Sequence, residues 1–161
     1  MIRNATINDA QAVSDIYNYF VLNTTVTFEE VAISAEEMAR RIHEVQIRHR
    51  WLVYEEGGKV AGFTYAGMWK PRSAYRHTVE ASIYIEAAYR GKGIGRQLYS
   101  ALVSELESLD IHSVIGGIAL PNDISIRLHE SLGFNKIGQF VEVGWKFGAW
   151  VDVGYWELIL K

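Results

Sequence analysis

Apolar and polar positions alternate along this chain in short blocks that divide it into strands and amphipathic helices, with nothing that reads as a linker. Ile2 to Ala5 is a strand candidate. Thr6-Ile7-Asn8-Asp9 offers a cap, after which Ala12, Val13, Ile16, Tyr17 and Phe20 recur at helical spacing. Ser34-Ala35-Glu36-Glu37 forms a capping box ahead of a second helix that carries Met38, Ile42 and Val45. Trp51 to Tyr54 and Val60 to Tyr65 flank the turn Glu55-Glu56-Gly57-Gly58-Lys59, a pattern that predicts a β-hairpin. Thr78 to Glu86 alternates as another strand. Gly91 to Gly95 then opens a helix with Leu98, Leu102, Val103 and Leu106 on its apolar side. Ser113 to Ile118 is an apolar strand, and Asp123 to Leu132 a short helix that Gly133 stops. Phe134 to Val143 and Val151 to Leu160 complete the pattern as two strands, joined by a turn-rich stretch with Gly144 and Gly148. The order β-α-α-β-β-β-α-β-α-β-β predicts an α/β (α+β) fold, one mixed central sheet flanked by helices.

Composition narrows the picture. The 161 residues, with only two Pro, no repeat and no low-complexity run, predict a single domain over residues 1–161. A net charge of -3 argues against a nucleic-acid partner, which normally calls for a basic surplus. The absence of Cys excludes a disulfide framework, a thiolate metal site and a cysteine nucleophile. Met1-Ile2-Arg3-Asn4 lacks an apolar signal core, and no apolar run approaches the ~20 residues that cross a bilayer, so a cytoplasmic protein with no membrane partner is expected.

The richest stretch in chemistry is Tyr84-Ile85-Glu86-Ala87-Ala88-Tyr89-Arg90-Gly91-Lys92-Gly93-Ile94-Gly95-Arg96. A strand ends, glycines arrive at alternate positions, and a helix begins. Glycines there let the backbone approach a ligand and gather successive N–H groups into one concavity, while the helix start adds unpaired donors that favour phosphate. Arg90, Lys92 and Arg96 add positive charge. The plain alternative is a glycine-rich turn with solvated basic side chains. The spacing is neither a P-loop, since no Gly-Lys-Ser/Thr follows, nor the G-x-G-x-x-G of dinucleotide folds.

Arg90, Gly93 and Gly95, in the order R-x-x-G-x-G between a strand and a helix, resemble the signature of the GNAT superfamily of N-acetyltransferases. Asn122, Ser125 and Leu132-Gly133-Phe134 resemble its second signature. The resemblance extends to the branch that acetylates phosphinothricin and methionine sulfoximine. It is carried by Ala66-Gly67-Met68-Trp69-Lys70-Pro71-Arg72, Thr78-Val79-Glu80-Ala81-Ser82, Gly117-Ile118-Ala119-Leu120-Pro121-Asn122 and Val143-Gly144-Trp145-Lys146-Phe147-Gly148, and it spans the chain from about Ile2 onward.

The resemblance implies a GNAT fold and acetyl-CoA as co-substrate, held by Arg90, Gly91, Lys92, Gly93, Ile94, Gly95 and Arg96, by backbone groups at Ile83, Tyr84 and Ile85, and by Asn122, Ser125 and Ser131. Glu80 is the implied base for the amine. Two readings stand for His129: the acid that protonates the leaving thiolate, or a packed helix residue. Phe28, Trp69, Arg72, Ser73, Ala74 and Tyr75 are the implied acceptor contacts, with Arg72 able to grip an anionic oxygen group. A homodimer is also implied. His43, His49, His77 and His112 have no partner at metal-ligand spacing, and neither H-E-x-x-H nor G-x-S-x-G occurs, so metal-free direct acyl transfer is expected. The alternatives are another amine acceptor (a polyamine, an aminoglycoside or a protein N-terminus) and a catalytically silent acyl-CoA-binding module.

Overall fold

The computed structural model describes residues 1–160. Its elements are β1 (Ile2–Asn4), α1 (Ala10–Asn23), α2 (Ala35–Gln46), β2 (Trp51–Glu56), β3 (Lys59–Met68), β4 (Thr78–Ile85), α3 (Ile94–Glu107), β5 (Ser113–Ala119), α4 (Asp123–Ser131), β6 (Asn135–Lys146) and β7 (Ala149–Ile159). The seven strands form one sheet in the order β1-β2-β3-β4-β5-β7-β6. Only β4 and β5 run parallel. The expected order of elements and the mixed sheet are both present.

Strand alternation sends side chains to opposite faces of the sheet, and each face meets its own pair of helices. Trp51, Val53, Phe63 and Tyr84 pack under α1 and α2, against Val13, Ile16, Phe20, Met38 and Ile42. Leu52, Val79, Ala81 and Val114 face α3, where Leu98, Tyr99, Leu102 and Leu106 recur at the spacing that makes one helical stripe. All four of those α3 residues are wholly buried, so each contributes on the order of 1.5–3 kcal/mol of hydrophobic stabilisation. Ser34 caps α2 as expected, its hydroxyl accepting from the Glu37 N–H at 3.1 Å.

The last two strands depart from expectation. The stretch with Gly144 and Gly148 is mostly strand: β6 runs to Lys146, and a tight turn at Phe147 and Gly148, both with positive φ, leads straight into β7. A bulge between Phe140 and Gly144 breaks the hairpin register, and Glu142 takes φ 53° there. The bulge explains why alternation fades across this stretch of the sequence.

Candidate active site

β4 and β5 pair over three residues only, Thr78 with Ser113, Val79 with Val114 and Glu80 with Ile115. β4 then continues along β3 to Ile85, and β5 along β7 to Ala119. Beyond Glu80 the two strands therefore part, and a gap opens in the middle of the sheet. Ser82, Ile83, Gly117, Asn122, Ser125 and His129 line it, together with Val26 from the α1–α2 loop.

The gap exposes backbone donors. The Glu86 N–H donates to Ala61 O on β3, whereas His77 O accepts from His112 and Ser113 on the β5 side. Alternation along β4 thus turns the amides of Ile83 and Ile85 toward the gap. Arg90 Nε reaches Ile85 O from that side at 3.3 Å. The same alternation turns the Tyr84 amide toward β3, and its ring packs against Tyr17, Phe20 and Phe63 in the core. Tyr84, expected among the cofactor contacts through its backbone, is one of the residues lining the gap, with its side chain in the core.

The glycine-rich turn follows directly. Gly91 and Gly93 take φ 78° and 76°, and Gly93 is the N-terminal cap of α3. A side chain at either position would meet no protein atom within 4 Å. Glycine is required here by the left-handed conformation, not by crowding within the chain. The first amides of α3 at Ile94, Gly95 and Arg96 have no intrahelical acceptor. Lys92 and Arg96 are exposed beside them. Arg90 is turned elsewhere: its guanidinium lies 5.1 Å from the Phe20 ring and 5.6 Å from the Tyr19 ring, tying the turn to α1. Left-handed glycines, free amides and a helix N-terminus fit a pyrophosphate, and the exposed amides of β4 fit the amide-bearing arm of acetyl-CoA.

Asn122 caps α4, its Oδ1 accepting from the Ser125 N–H at 3.1 Å, with its NH₂ still available toward the gap. Ser131 sits at the opposite end of that nine-residue helix, roughly 12 Å further along its axis. Its exposed hydroxyl donates to Leu128 O. Asn122 and Ser131 thus stand at opposite ends of α4.

Glu80 stands where the strands part, half-buried, with no hydrogen bond or ion pair to its carboxylate among the described residues. Burial raises its pKa above the ordinary carboxylate value. A Cβ at Gly117 would lie 3.1 Å from Glu80 Oε1 and 3.2 Å from the Tyr155 ring. On the opposite face a Cβ at Gly116 would lie 2.6 Å from the His129 ring. The glycine pair in β5 is therefore what seats a carboxylate on one face and an imidazole on the other. Trp69 meets Tyr155 edge-on at 5.6 Å, and Phe140 meets it from another side at 5.7 Å. Tyr155 is a site residue that pattern reading did not single out, although Gly116-Gly117 inside an apolar strand was a signal for such close approach.

His129 is buried, 3% exposed, between Tyr99 and Phe134. Its Nδ1 lies 2.7 Å from Ser125 O, which can only accept, so Nδ1 carries the hydrogen. Nε2 is left to accept from the Tyr99 hydroxyl at 3.1 Å. Burial lowers the pKa of the ring and keeps it neutral.

The implied acceptor contacts are less tightly gathered. Arg72, Ser73, Ala74 and Tyr75 lie on an exposed 3₁₀ turn just ahead of β4, and neither Arg72 nor Tyr75 makes a side-chain hydrogen bond to Glu80. Phe28, in the α1–α2 loop, lies against Gly144 of β6. That loop is further held by Tyr17, whose hydroxyl meets Thr27 Oγ1 at 2.7 Å, and by Arg41, which pairs with Glu29 at 2.7 Å. Among the described residues no group of three or more His, Cys, Asp or Glu side chains could hold a metal ion, and no helix is long and apolar enough to cross a membrane.

Comparison with known proteins agrees with this geometry. A family model described as "Acetyltransferase (GNAT) domain" matches residues 2–154. The phosphinothricin N-acetyltransferase of Streptomyces viridochromogenes is 42% identical over 156 residues, covering 97% of this chain and 85% of its own. The L-methionine sulfoximine/L-methionine sulfone acetyltransferase of Salmonella typhimurium is 38% identical over 160 residues, covering 99% and 94%. The yncA protein of Salmonella typhimurium, solved with its cofactor acetyl-CoA, superposes with a TM-score of 0.98 at 37% identity, covering 100% of this chain and 94% of that one. A split parallel pair, a glycine-rich turn at a helix N-terminus and these matches lead to one conclusion: the chain belongs to the GNAT acetyltransferase family and is an N-acetyltransferase with acetyl-CoA as its co-substrate.

Proposed function

We propose that this enzyme acetylates the α-amino group of a small L-amino acid with a compact, polar, tetrahedral side-chain end, of the phosphinothricin, methionine sulfoximine or methionine sulfone type, with Glu80 as base. The observation that carries the reading is Glu80 itself. An unpartnered carboxylate, with its pKa raised by burial, stands at the point where the sheet opens beside the amides of Ile83 and Ile85. The acceptor amine arrives protonated, and Glu80 takes that proton directly or through one water. The nitrogen attacks the thioester carbonyl, the C–S bond breaks, and the nitrogen's second proton passes to the departing CoA sulfur. The Ile83 and Ile85 amides hold the thioester arm in the gap and supply donors for the oxygen that gains charge during attack. Gly91 to Arg96 hold the pyrophosphate, and the Asn122 amide meets the arm from α4.

His129 acts in this reading as the packed residue rather than the acid. A neutral ring whose Nδ1–H is held by Ser125 O has no spare proton for a thiolate at neutral pH. Arg72 and Tyr75 lie one turn ahead of β4 and close on the tetrahedral end of the acceptor, while Phe28 and Trp69 flank its methylenes. A site with donors for sulfonyl or phosphinyl oxygens leaves them unpaired over a thioether, at a cost of ~1–3 kcal/mol each. Free-CoA release should therefore favour methionine sulfone over methionine by at least about tenfold in kcat/KM. Spermidine and an N-terminal alanine peptide complete the acceptor panel. Equal efficiency on methionine and its sulfone would contradict the polar pocket, and no CoA release with any amino acid would contradict the substrate class.

A homodimer belongs to the same proposal. Phe140, Val141, Val143, Trp145, Phe147 and Trp150 of the β6–β7 hairpin are each more than half exposed. Large apolar side chains grouped on one exposed hairpin are the kind of surface that a partner covers. Light scattering at micromolar concentration should give twice the chain mass, and a single-chain mass would refute the dimer.

A further inference from the structure

We propose that Lys146, at the tip of the β6–β7 hairpin, is a positioning residue that clamps the α1–α2 loop over the acceptor side of the gap. Lys146 is 1% exposed, and its ammonium donates to the Thr27 backbone carbonyl at 2.8 Å, across 119 positions of sequence. Thr27 is itself buried, while its neighbours Val26 and Phe28 are exposed. Val26 lines the gap between β4 and β5.

The other ties on this loop are local. Asn18 of α1 bonds both backbone groups of Ile33 at 2.8 Å, and Arg41 of α2 pairs with Glu29. With the Tyr17 hydroxyl on Thr27 Oγ1, those contacts tie the loop to the two helices it joins. Lys146 supplies the anchor from the distant β6–β7 hairpin, and Phe28 closes the same contact by lying against Gly144 two residues earlier. Burying an ammonium is costly, and a methionine would fill the space without that cost. Burial lowers the Lys146 pKa, and the nearby Glu30 and Glu29 oppose that shift. A cation there makes physical sense as a charge-assisted donor that one carbonyl cannot easily slip from.

This inference rests on the acceptor reading above, and the test separates the two. Lys146→Met and Lys146→Arg are compared with wild type by hydrogen–deuterium exchange of residues 24–33 and by steady-state kinetics with methionine sulfone. In Lys146→Met the loop amides should exchange faster and the acceptor KM should rise about tenfold, the scale of one lost charge-assisted hydrogen bond, with the acetyl-CoA KM unchanged. Lys146→Arg should recover part of both effects. Gly144→Ala, whose added carbon would strike the Phe28 ring, should raise the acceptor KM in the same direction. Unchanged exchange in Lys146→Met would overturn the clamp. Faster exchange with an unchanged acceptor KM would overturn the positioning role. Absence of any turnover by wild type would refute the acceptor reading, with the exchange result still deciding the clamp.

Discussion

The two halves of this site are built by different means. The acetyl-CoA half is nearly one uninterrupted segment, from the end of β4 through the glycine-rich turn to the first amides of α3, and it works through backbone conformation. The acceptor half, as proposed, gathers Glu80, Gly117, Tyr155, Trp69 and the α1–α2 loop from five places in the chain and relies on side chains. A backbone device tolerates changes in side chains that keep φ accessible. A side-chain device fails when a single atom moves. Substitutions in one half should therefore spare the other.

The largest effect is expected at Glu80. Glu80→Gln should lower kcat by roughly the 10²–10⁴-fold typical of an acid–base group, while acetyl-CoA affinity measured by calorimetry stays the same. Wild-type turnover in the variant would sink the assignment. Stability should move the other way. Because burial raises the folded-state pKa, whatever Glu80 contributes is fully present below the unfolded pKa and is lost as pH rises through the folded value. At neutral pH the charge burdens the fold, so thermal unfolding of Glu80→Gln should occur at an equal or higher temperature than wild type.

Gly93 breaks the other half. A β-branched residue forced to φ 76° costs on the order of 1–3 kcal/mol, so Gly93→Val should weaken acetyl-CoA binding by about ten- to a hundredfold and leave the acceptor KM alone. Gly93→Asn sharpens the point, because Asn tolerates the left-handed region. It should retain more affinity than Val. Equal losses would mean that the added carbon itself occupies the phosphate's place.

The smallest effect on turnover is expected at His129. His129→Gln should keep kcat within about threefold of wild type if the ring is only packed. Loss of its hydrogen bonds to Tyr99 and Ser125 should instead lower the unfolding temperature by several degrees. A drop in kcat on the scale of Glu80→Gln would restore the acid reading.

The same contrast explains what could be read from the sequence. The order of elements and the turn at Gly91–Gly95 were legible because period and spacing encode backbone conformation locally. Glu80 was singled out through the resemblance of Thr78-Val79-Glu80-Ala81-Ser82, not through periodicity. Tyr155 was not, because its role depends on facing Gly117 across the β5–β7 register. Tyr84 was expected through its backbone, and the packing of its ring under α1 was not legible, because alternation gives the face and not what covers it. Lys146 was invisible for the plainest reason, since its partner lies 119 residues away.

The most direct test is the pH dependence of kcat/KM for the acceptor, measured for wild type and for the residual activity of Glu80→Gln side by side. Ionisation of the acceptor's own ammonium limits both proteins on the acid side. In wild type the loss should steepen by about one further power of proton concentration below the pKa of Glu80, at a pH above the ordinary carboxylate range because that pKa is raised. The steeper limb should be absent from Glu80→Gln. The same limb in both proteins would show that another group carries the proton, and would contradict the assignment of Glu80 as base.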